Sequence, residues 1–356
     1  MFPVPACQGA PFYRARRGGA SFRIADCNQA NPPLSPHLIP ILRQLADGRF
    51  HSGEVLAHLL GLSRATVWQA LTDAEALGVR VFRVRGRGYR LESPMELLDA
   101  AALESLLGEA SPFAVQVLDT VASTNTHLLQ QAGQGAPHGS VVAAELQTQG
   151  RGRQGRSWLT GLAGALTFSV LWRFRGGVAG LSGLSLAVGL AVARACEQLG
   201  VAGVKLKWPN DVVHDGRKLA GILIEVQGDM LGPSLAVIGI GLNYRVAAHV
   251  LDAIGQPVVD LAAIAKSLPS RNAVLAELLR QLSDVLARFE AGGFAALAGE
   301  WEARHAHQRK AVRLSLPDRT TVQGIAEGVA PDGALKIRSA AGLLQFCIGE
   351  ISLRAA

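Results

Sequence analysis

From Pro36 onward, apolar residues recur at helical spacing. Leu38, Ile41, Leu42 and Leu45 share one face of a first helix. Ser52 precedes a second run, Val55, Leu56, Leu59 and Leu60, that stops at Gly61. Ser63 precedes a third, Val67, Ala70, Leu71, Ala74 and Leu77, that stops at Gly78. A serine oxygen accepts from an amide left orphaned at a helix start, and glycine adopts the left-handed turn that ends one. Two short helices joined by the tight "GLS" turn predict a helix-turn-helix. The next stretch, "VRVFRVRGRGYRL", predicts two short strands over 81–84 and 89–91, with Gly86, Arg87 and Gly88 as the turn. A hairpin directly behind a helix-turn-helix is a wing, and Arg80, Arg83, Arg85, Arg87 and Arg90 stud this one.

After a linker near 92–96 the pattern alternates between strands and helices for about two hundred residues. "FAVQVLD", "SVVAAEL", "LTFSVLW", "VKLKWPN", "LAGILIEV" and "LAVIGIGLN" read as strands. Helices are predicted over 124–131, 181–199 and 273–289. This alternation predicts a mixed sheet covered by helices. From about Arg309 the pattern becomes short strands, "AVRLSL", "TTVQGIAEGV", "ALKIRSA" and "LLQFCIGEISLR", with "PDR" and "PDG" as turns. A small SH3-like β barrel fits that tail. The expected fold class is therefore α/β (α+β) and multidomain. Its parts are an extension over 1–33, a winged helix-turn-helix over 34–95, a mixed-sheet domain over 96–308 and a barrel over 309–356.

Composition narrows the class. The chain has 356 residues, 49% of them hydrophobic, enough for a sizeable core. No apolar run reaches the roughly 18 residues of a membrane span, so no membrane partner is expected. The formal charge of +7 suits a nucleic acid or polyphosphate partner. Cys7, Cys27, Cys196 and Cys347 are scattered, which predicts isolated buried thiols in a reducing cytoplasm. Residues 1–33 carry four arginines and no acid before Asp26, and they read as a disordered extension or a start placed too early.

The stretch "GRGRQGRSW", Gly150 to Trp158, contains the G-x-G-x-x-G of a dinucleotide turn. A strand precedes it, but "RSWLTGLAG" is a poor helix start. No Asp or Glu lies between Glu145 and Glu197 to hold a ribose, which argues against that fold. A phosphate-binding Walker loop is excluded because no Lys follows a Gly. What remains is Arg151, Arg153 and Arg156 spaced by glycines, a loop able to bend over an anion. The plainer alternative is a solvated basic turn. A second cluster, "KWPND" (Lys207 to Asp211) with "RKLAGILIE" (Arg217 to Glu225), offers an ammonium for an oxyanion and a carboxylate for Mg²⁺. Singly, each of those charges reads as a surface residue. A third, Ser123, Thr124 and Asn125 in "LDTVASTN", reads first as a helix cap and second as a polar ligand contact.

On "STN", "GRGRQGRSW", "KWPND", "RKLAGILIE", "GIGLN" and "GEISLR", in that order, the chain resembles the bifunctional biotin–protein ligase and biotin operon repressor family. The resemblance spans nearly everything after Pro36. It implies ATP, Mg²⁺ and biotin as cofactors and substrates, biotinyl-5′-AMP as the intermediate, and the biotin carboxyl carrier protein domain as acceptor. It implies Ser123, Thr124, Asn125, Gln147, Arg151, Gly152, Arg153 and Lys218 at biotin. Arg151, Arg156, Trp158, Asn210 and Asn243 are implied at the nucleotide. Lys218, Arg153 and Asp211 are implied in catalysis, with Asp211 also a candidate Mg²⁺ ligand. It further implies operator DNA as a partner, with Ser63, Arg64, Thr66 and Gln69 on the recognition helix and Arg83, Arg85 and Arg87 on the wing. A homodimer formed on adenylate binding is the expected repressor. Three rivals stand beside it: a ligase with a non-regulatory helix-turn-helix, a biotin-sensing DNA-binding regulator without catalysis, and a lipoate–protein ligase.

Overall fold

The computed structural model describes residues 35–316, 320–347 and the backbone of 352–355. The 1–33 extension and the "PDR" turn lie outside the described residues. The capping signals act as their chemistry requires. Ser52 Oγ accepts from Val55 N at 3.1 Å and starts α2 (Gly53–Leu60), behind α1 (Leu38–Leu45). Ser63 Oγ accepts from Thr66 N at 3.0 Å and starts α3 (Arg64–Ala76). Gly61 stops α2 in the left-handed region, where a Cβ would be strained. The wing is β1 (Val81–Val84) antiparallel to β2 (Gly88–Leu91). Gly88 pairs with Val84 rather than sitting in the turn, so the turn is one residue earlier than expected. His51 bridges Tyr89 and adds a third short edge.

A helix not anticipated from the pattern, α4 (Ala100–Leu107), leads into β3 (Ala114–Val121), α5 (Thr124–Gly133), β4 (Ser140–Gln147) and β5 (Ala165–Phe174). Then come α6 (Leu184–Gln198), β6 (Val204–Lys207), β7 (Asp211–His214), β8 (Arg217–Gly228) and β9 (Ser234–Asn243). The sheet order is β3-β4-β5-β9-β8-β7-β6. Only β3 and β4 pair in parallel, so the sheet is mixed, as the alternation predicted. The helix predicted from 181 begins at Leu184, because Gly183 takes φ +80 and breaks it from a 3₁₀ turn. Helices α7 (Ala248–Ala253), α8 (Leu261–Ile264), α9 (Arg271–Gly292) and α10 (Ala298–Ala303) follow. Helix α9 packs its buried face, including Leu275, Leu278, Leu282 and Val285, into the core against α6.

The tail forms β10 (Ala311–Ser315), β11 (Thr321–Val329), β12 (Leu335–Ser339), β13 (Gly342–Phe346) and β14 (Ser352–Ala355). They make a five-stranded antiparallel sheet in the order β13-β12-β11-β10-β14. The last predicted strand is therefore two strands. The "PDG" turn reaches the seven-stranded sheet: Gly333 O accepts from the buried Trp208 Nε1 at 3.1 Å. Of the cysteines within the described residues, Cys196 is buried as expected, with its thiol pushed up to about 12 by desolvation, whereas Cys347 is exposed. No helix among the described residues is long and apolar enough to cross a membrane.

A histidine pair sits where the tail joins the sheet. His305 stacks on Trp301 with ring centroids 4.7 Å apart, and His307 lies 6.1 Å from His305. Burial holds both imidazoles below their ordinary value, His307 at about 4, with His305, Lys207 and Lys310 adding repulsion. Below the ordinary imidazole value of 6.5 the unfolded chain therefore binds protons that the fold refuses. Stability is full above that value and falls as pH drops toward 4. The urea midpoint is expected to be lower at pH 5 than at pH 7.5, with His307→Gln showing a shallower decline; equal slopes would remove the pair as the cause.

Candidate active site

The β3–α5 junction presents Ser123, Thr124 and Asn125, all buried. Ser123 caps α5, its Oγ 3.5 Å from Thr126 N. Thr124 donates to Gln147 Oε1 from its backbone N at 2.8 Å and from Oγ1 at 3.1 Å. Thr124 has one hydroxyl proton and spends it there. The fully buried Ser169 on β5 likewise has a single hydroxyl proton, shared between Thr124 Oγ1 at 2.8 Å and Asn125 Oδ1 at 2.6 Å, the shorter contact. Asn125 Nδ2 donates to Leu223 O at 3.2 Å and to Glu225 Oε2 at 2.8 Å. The pattern reading missed Ser169. Its signal was a pair of hydroxyls, Thr167 and Ser169, inside the otherwise apolar run "LTFSVLW".

The glycine–arginine stretch is a small hairpin. Trp158 N donates to Gly150 O at 2.8 Å, Arg151 bridges Ser157, and Gly152 N donates to Arg156 O at 2.7 Å. The tip, Arg153 to Gly155, turns with Gln154 and Gly155 at positive φ. Arg151 Nη2 reaches Glu225 at 3.1 Å and Thr126 Oγ1 at 2.9 Å. Arg153 Nη1 reaches Asn210 Oδ1 at 3.3 Å; burial lowers its basicity, and the nearby Asp211 carboxylate opposes that effect.

Trp158, behind the hairpin, lies on a floor of glycines. A Cβ on Gly241 would overlap the indole, and one on Gly221 would press on Lys218 and Trp158. Trp158 Nε1 is buried without a hydrogen-bond partner, a donor left without an acceptor. Lys218 Nζ stands 5.6 Å from the Trp158 ring and 2.8 Å from Asp211 Oδ1. The "KWPND" turn, with a cis Trp208–Pro209 bond, brings Asn210 and Asp211 to that place. Gly241→Ala is expected to expel Trp158 at a cost of about 1–3 kcal/mol. A nucleotide that stacks or hydrogen-bonds there would lose affinity, read as a raised KM for ATP; an unchanged KM would show that the indole is not a nucleotide contact.

These groups surround one open-mouthed cavity. Ser123, Thr124, Asn125 and Gln147 are among its lining residues, and so are Arg151, Gly152, Arg153, Trp158, Asn210 and Lys218. Three expected residues do not line it. Asn243 is buried and spends Nδ2 on Lys218 O at 3.2 Å and Val259 O at 3.1 Å. Arg156 is exposed and does not line the cavity. Asp211 acts on the cavity through Lys218 rather than lining it.

In the winged domain Arg64, Arg85 and Arg87 are exposed. Ser63 and Thr66 bond to each other at 2.8 Å, and Gln69 Nε2 donates to Asp73 Oδ1 at 2.9 Å. Arg83 pairs with Glu75 at 3.0 Å and lies over Trp68, while Arg87 lies over Phe50.

Comparison with known proteins agrees with this arrangement. The Biotin/lipoate A/B protein ligase family matches residues 117–243, an HTH domain matches 38–90, and the Biotin protein ligase C terminal domain matches 310–354. The bifunctional ligase/repressor BirA of Escherichia coli is 36% identical over 318 residues, 89% of this chain and 97% of that one. Its namesake in Bacillus subtilis is 27% identical, over 90% of this chain and 98% of that one. The biotin protein ligase from Aquifex aeolicus, solved in complex with biotin and ATP, has a TM-score of 0.60 at 29% identity, covering 68% of this chain and 99% of that one. With a winged helix at one end, a glycine–arginine hairpin over a polar cavity at the centre and the matching tail, the chain belongs to the family of bifunctional biotin ligase/repressors.

Proposed function

We propose that the chain activates biotin as biotinyl-5′-AMP, transfers it to a lysine of a carrier domain, and represses transcription as an adenylate-bound homodimer in the cytoplasm. The observation that carries this is the cavity's two-ended chemistry. Hydroxyl and amide groups at Ser123, Thr124, Asn125 and Gln147 suit the neutral urea edge of biotin. Arg153 and Lys218, at the other end, suit two anions that must meet.

In the first step a biotin carboxylate oxygen attacks the α-phosphorus, the P–O bond to the β-phosphate breaks, and pyrophosphate leaves. Two unit charges at 4 Å interact by about 4 kcal/mol at an effective dielectric of 20, so bringing the anions together requires cations between them. Lys218 and Arg153 supply that charge from fixed positions. Among the described residues no cluster of three acidic, His or Cys side chains could hold a metal by itself. Mg²⁺ needs only one or two carboxylates when phosphates supply other ligands; Asp211 is paired with Lys218 and does not line the cavity, so it would reach the ion only by giving up that pair. The ion would add positive charge at the phosphates. In the second step the neutral amine of a carrier lysine attacks the acyl carbon and AMP leaves. The hairpin covers the anhydride from water in the interval.

The test incubates the protein with biotin, MgATP and a carrier domain and reads one added biotinyl group by mass. No addition with biotin, or equal addition with lipoate, would overturn the assignment. For the regulatory half, a gel shift on DNA upstream of biotin-synthesis genes is expected to tighten with biotin and ATP. Arg87→Ala is expected to lower the salt slope of that binding by about one charge. A shift indifferent to biotin and ATP would leave the winged domain without a regulatory role.

A further inference from the structure

The acid Glu225 has no place in the chemistry just described, and its location is electrostatically unfavourable. It stands on β8 beside a cavity built for anions, where a carboxylate repels the substrates. It does not line that cavity. It sits behind two residues that do, and it touches both: Asn125 Nδ2 at 2.8 Å and Arg151 Nη2 at 3.1 Å.

We propose that Glu225 is a positioning residue that clasps the base of the arginine hairpin to the biotin end of the cavity, acting through Arg151 and Asn125. This rests on the ligase reading above. Two effects follow from the geometry. The first concerns Asn125. Ser169 donates to its Oδ1, while Leu223 O and Glu225 accept from its Nδ2. The amide can then face only one way, with a lone pair of Oδ1 left for a ligand donor. The second concerns Arg151. Its guanidinium is held by Glu225 and Thr126, so it anchors the hairpin rather than neutralising a reactant. The anion work passes to Arg153 and Lys218, further along the cavity. A clasp at the hairpin's base leaves its tip, at Arg153 to Gly155, able to swing over substrate and retain the adenylate.

The two effects separate by substitution. Glu225→Gln keeps an oxygen for Asn125 Nδ2 and removes the charge from Arg151. It is expected to leave the KM for biotin within about threefold of wild type, while biotinyl-5′-AMP escapes about five- to tenfold faster. Glu225→Ala loses both contacts, and its KM for biotin is expected to rise about tenfold or more in addition. The transfer kcat is expected to stay within about threefold in both, since neither touches Lys218 or Arg153. Arg151→Ala should speed escape as Glu225→Gln does, and the double variant should show no further gain. Adenylate release is read by stopped-flow with the full chain, and thermal midpoints are read alongside. Wild-type release and KM in both Glu225 variants would overturn the clasp. So would losses that are equal in Gln and Ala and follow a fall in the thermal midpoint. Failure of the wild-type chain to make adenylate at all would instead sink the ligase reading.

Discussion

Lys218→Ala is expected to cut the rate of biotinyl-5′-AMP formation by about 10²–10³-fold, the usual loss when one fixed charge aimed at a developing anion is removed. The size follows from how firmly that ammonium is placed. Lys218 N donates to Pro257 O at 2.9 Å, and Lys218 O accepts from Val259 N at 3.0 Å and from Asn243 Nδ2 at 3.2 Å. The backbone amide and carbonyl of Lys218 are thus both tied down, and the side chain needs little reorganisation to meet its substrate. The pair with Asp211 at 2.8 Å aims Nζ across the Trp158 face. Asparagine 243, expected at the nucleotide, contributes here by fixing the strand that carries the lysine. Because the backbone clamp survives truncation, the thermal midpoint is expected to change little. Transfer from preformed biotinyl-5′-AMP should suffer less, since the carrier supplies the nucleophile for that step. Pyrophosphate release measures the first step. A rate within about threefold of wild type would remove Lys218 from the chemistry.

Glu145→Ala is expected to destabilise the fold by about 3–5 kcal/mol, the cost of leaving a buried charge without its partner. Glu145 and Arg271 are almost fully buried, with side-chain exposures of 0% and 1%, and lie 2.6 Å apart. Arg271 also donates to Glu96 O at 2.8 Å and Ala165 O at 3.1 Å, and Leu98 N donates to Glu145. The network therefore joins the segment leaving the winged domain to β4, β5 and α9. Alanine would strand the guanidinium and the Leu98 amide together. Glu145→Gln keeps an acceptor for Leu98 and should lose less. Position matters as well as energy: Glu145 is two residues before Gln147, and Ala165 begins the strand after the hairpin. A loosened network should therefore raise the KM for biotin even at temperatures where the variant remains folded. Chemical denaturation measures the first effect. A loss below about 1 kcal/mol would show that water or a neighbour reaches the stranded arginine.

The features legible in the sequence were those whose causes are local. Ser52 and Ser63 cap helices, Gly61 stops one, and the wing pairs over four residues because its strands are separated by a three-residue turn. "GRGRQGRSW" showed itself as something other than a dinucleotide turn, since no helix start follows it; the structure has a hairpin there. Other elements were less legible. Helix α4 and strand β7 went unread, and the start of α6 was misplaced because Gly183 looks like a tolerated helix residue until its φ is known.

The winged helix, the mixed sheet and the presence of a cationic loop near polar residues were thus decided by the chain's own pattern, through hydrogen bonds and turns between near neighbours. The division of labour among the charges was decided by the tertiary structure. Arg151 meets a carboxylate 74 positions away, and Arg153 meets an amide 57 away. Arg156 faces solvent although it shares their motif. A guanidinium's role depends on which distant strand its side chain reaches, and the charge itself carries no record of that.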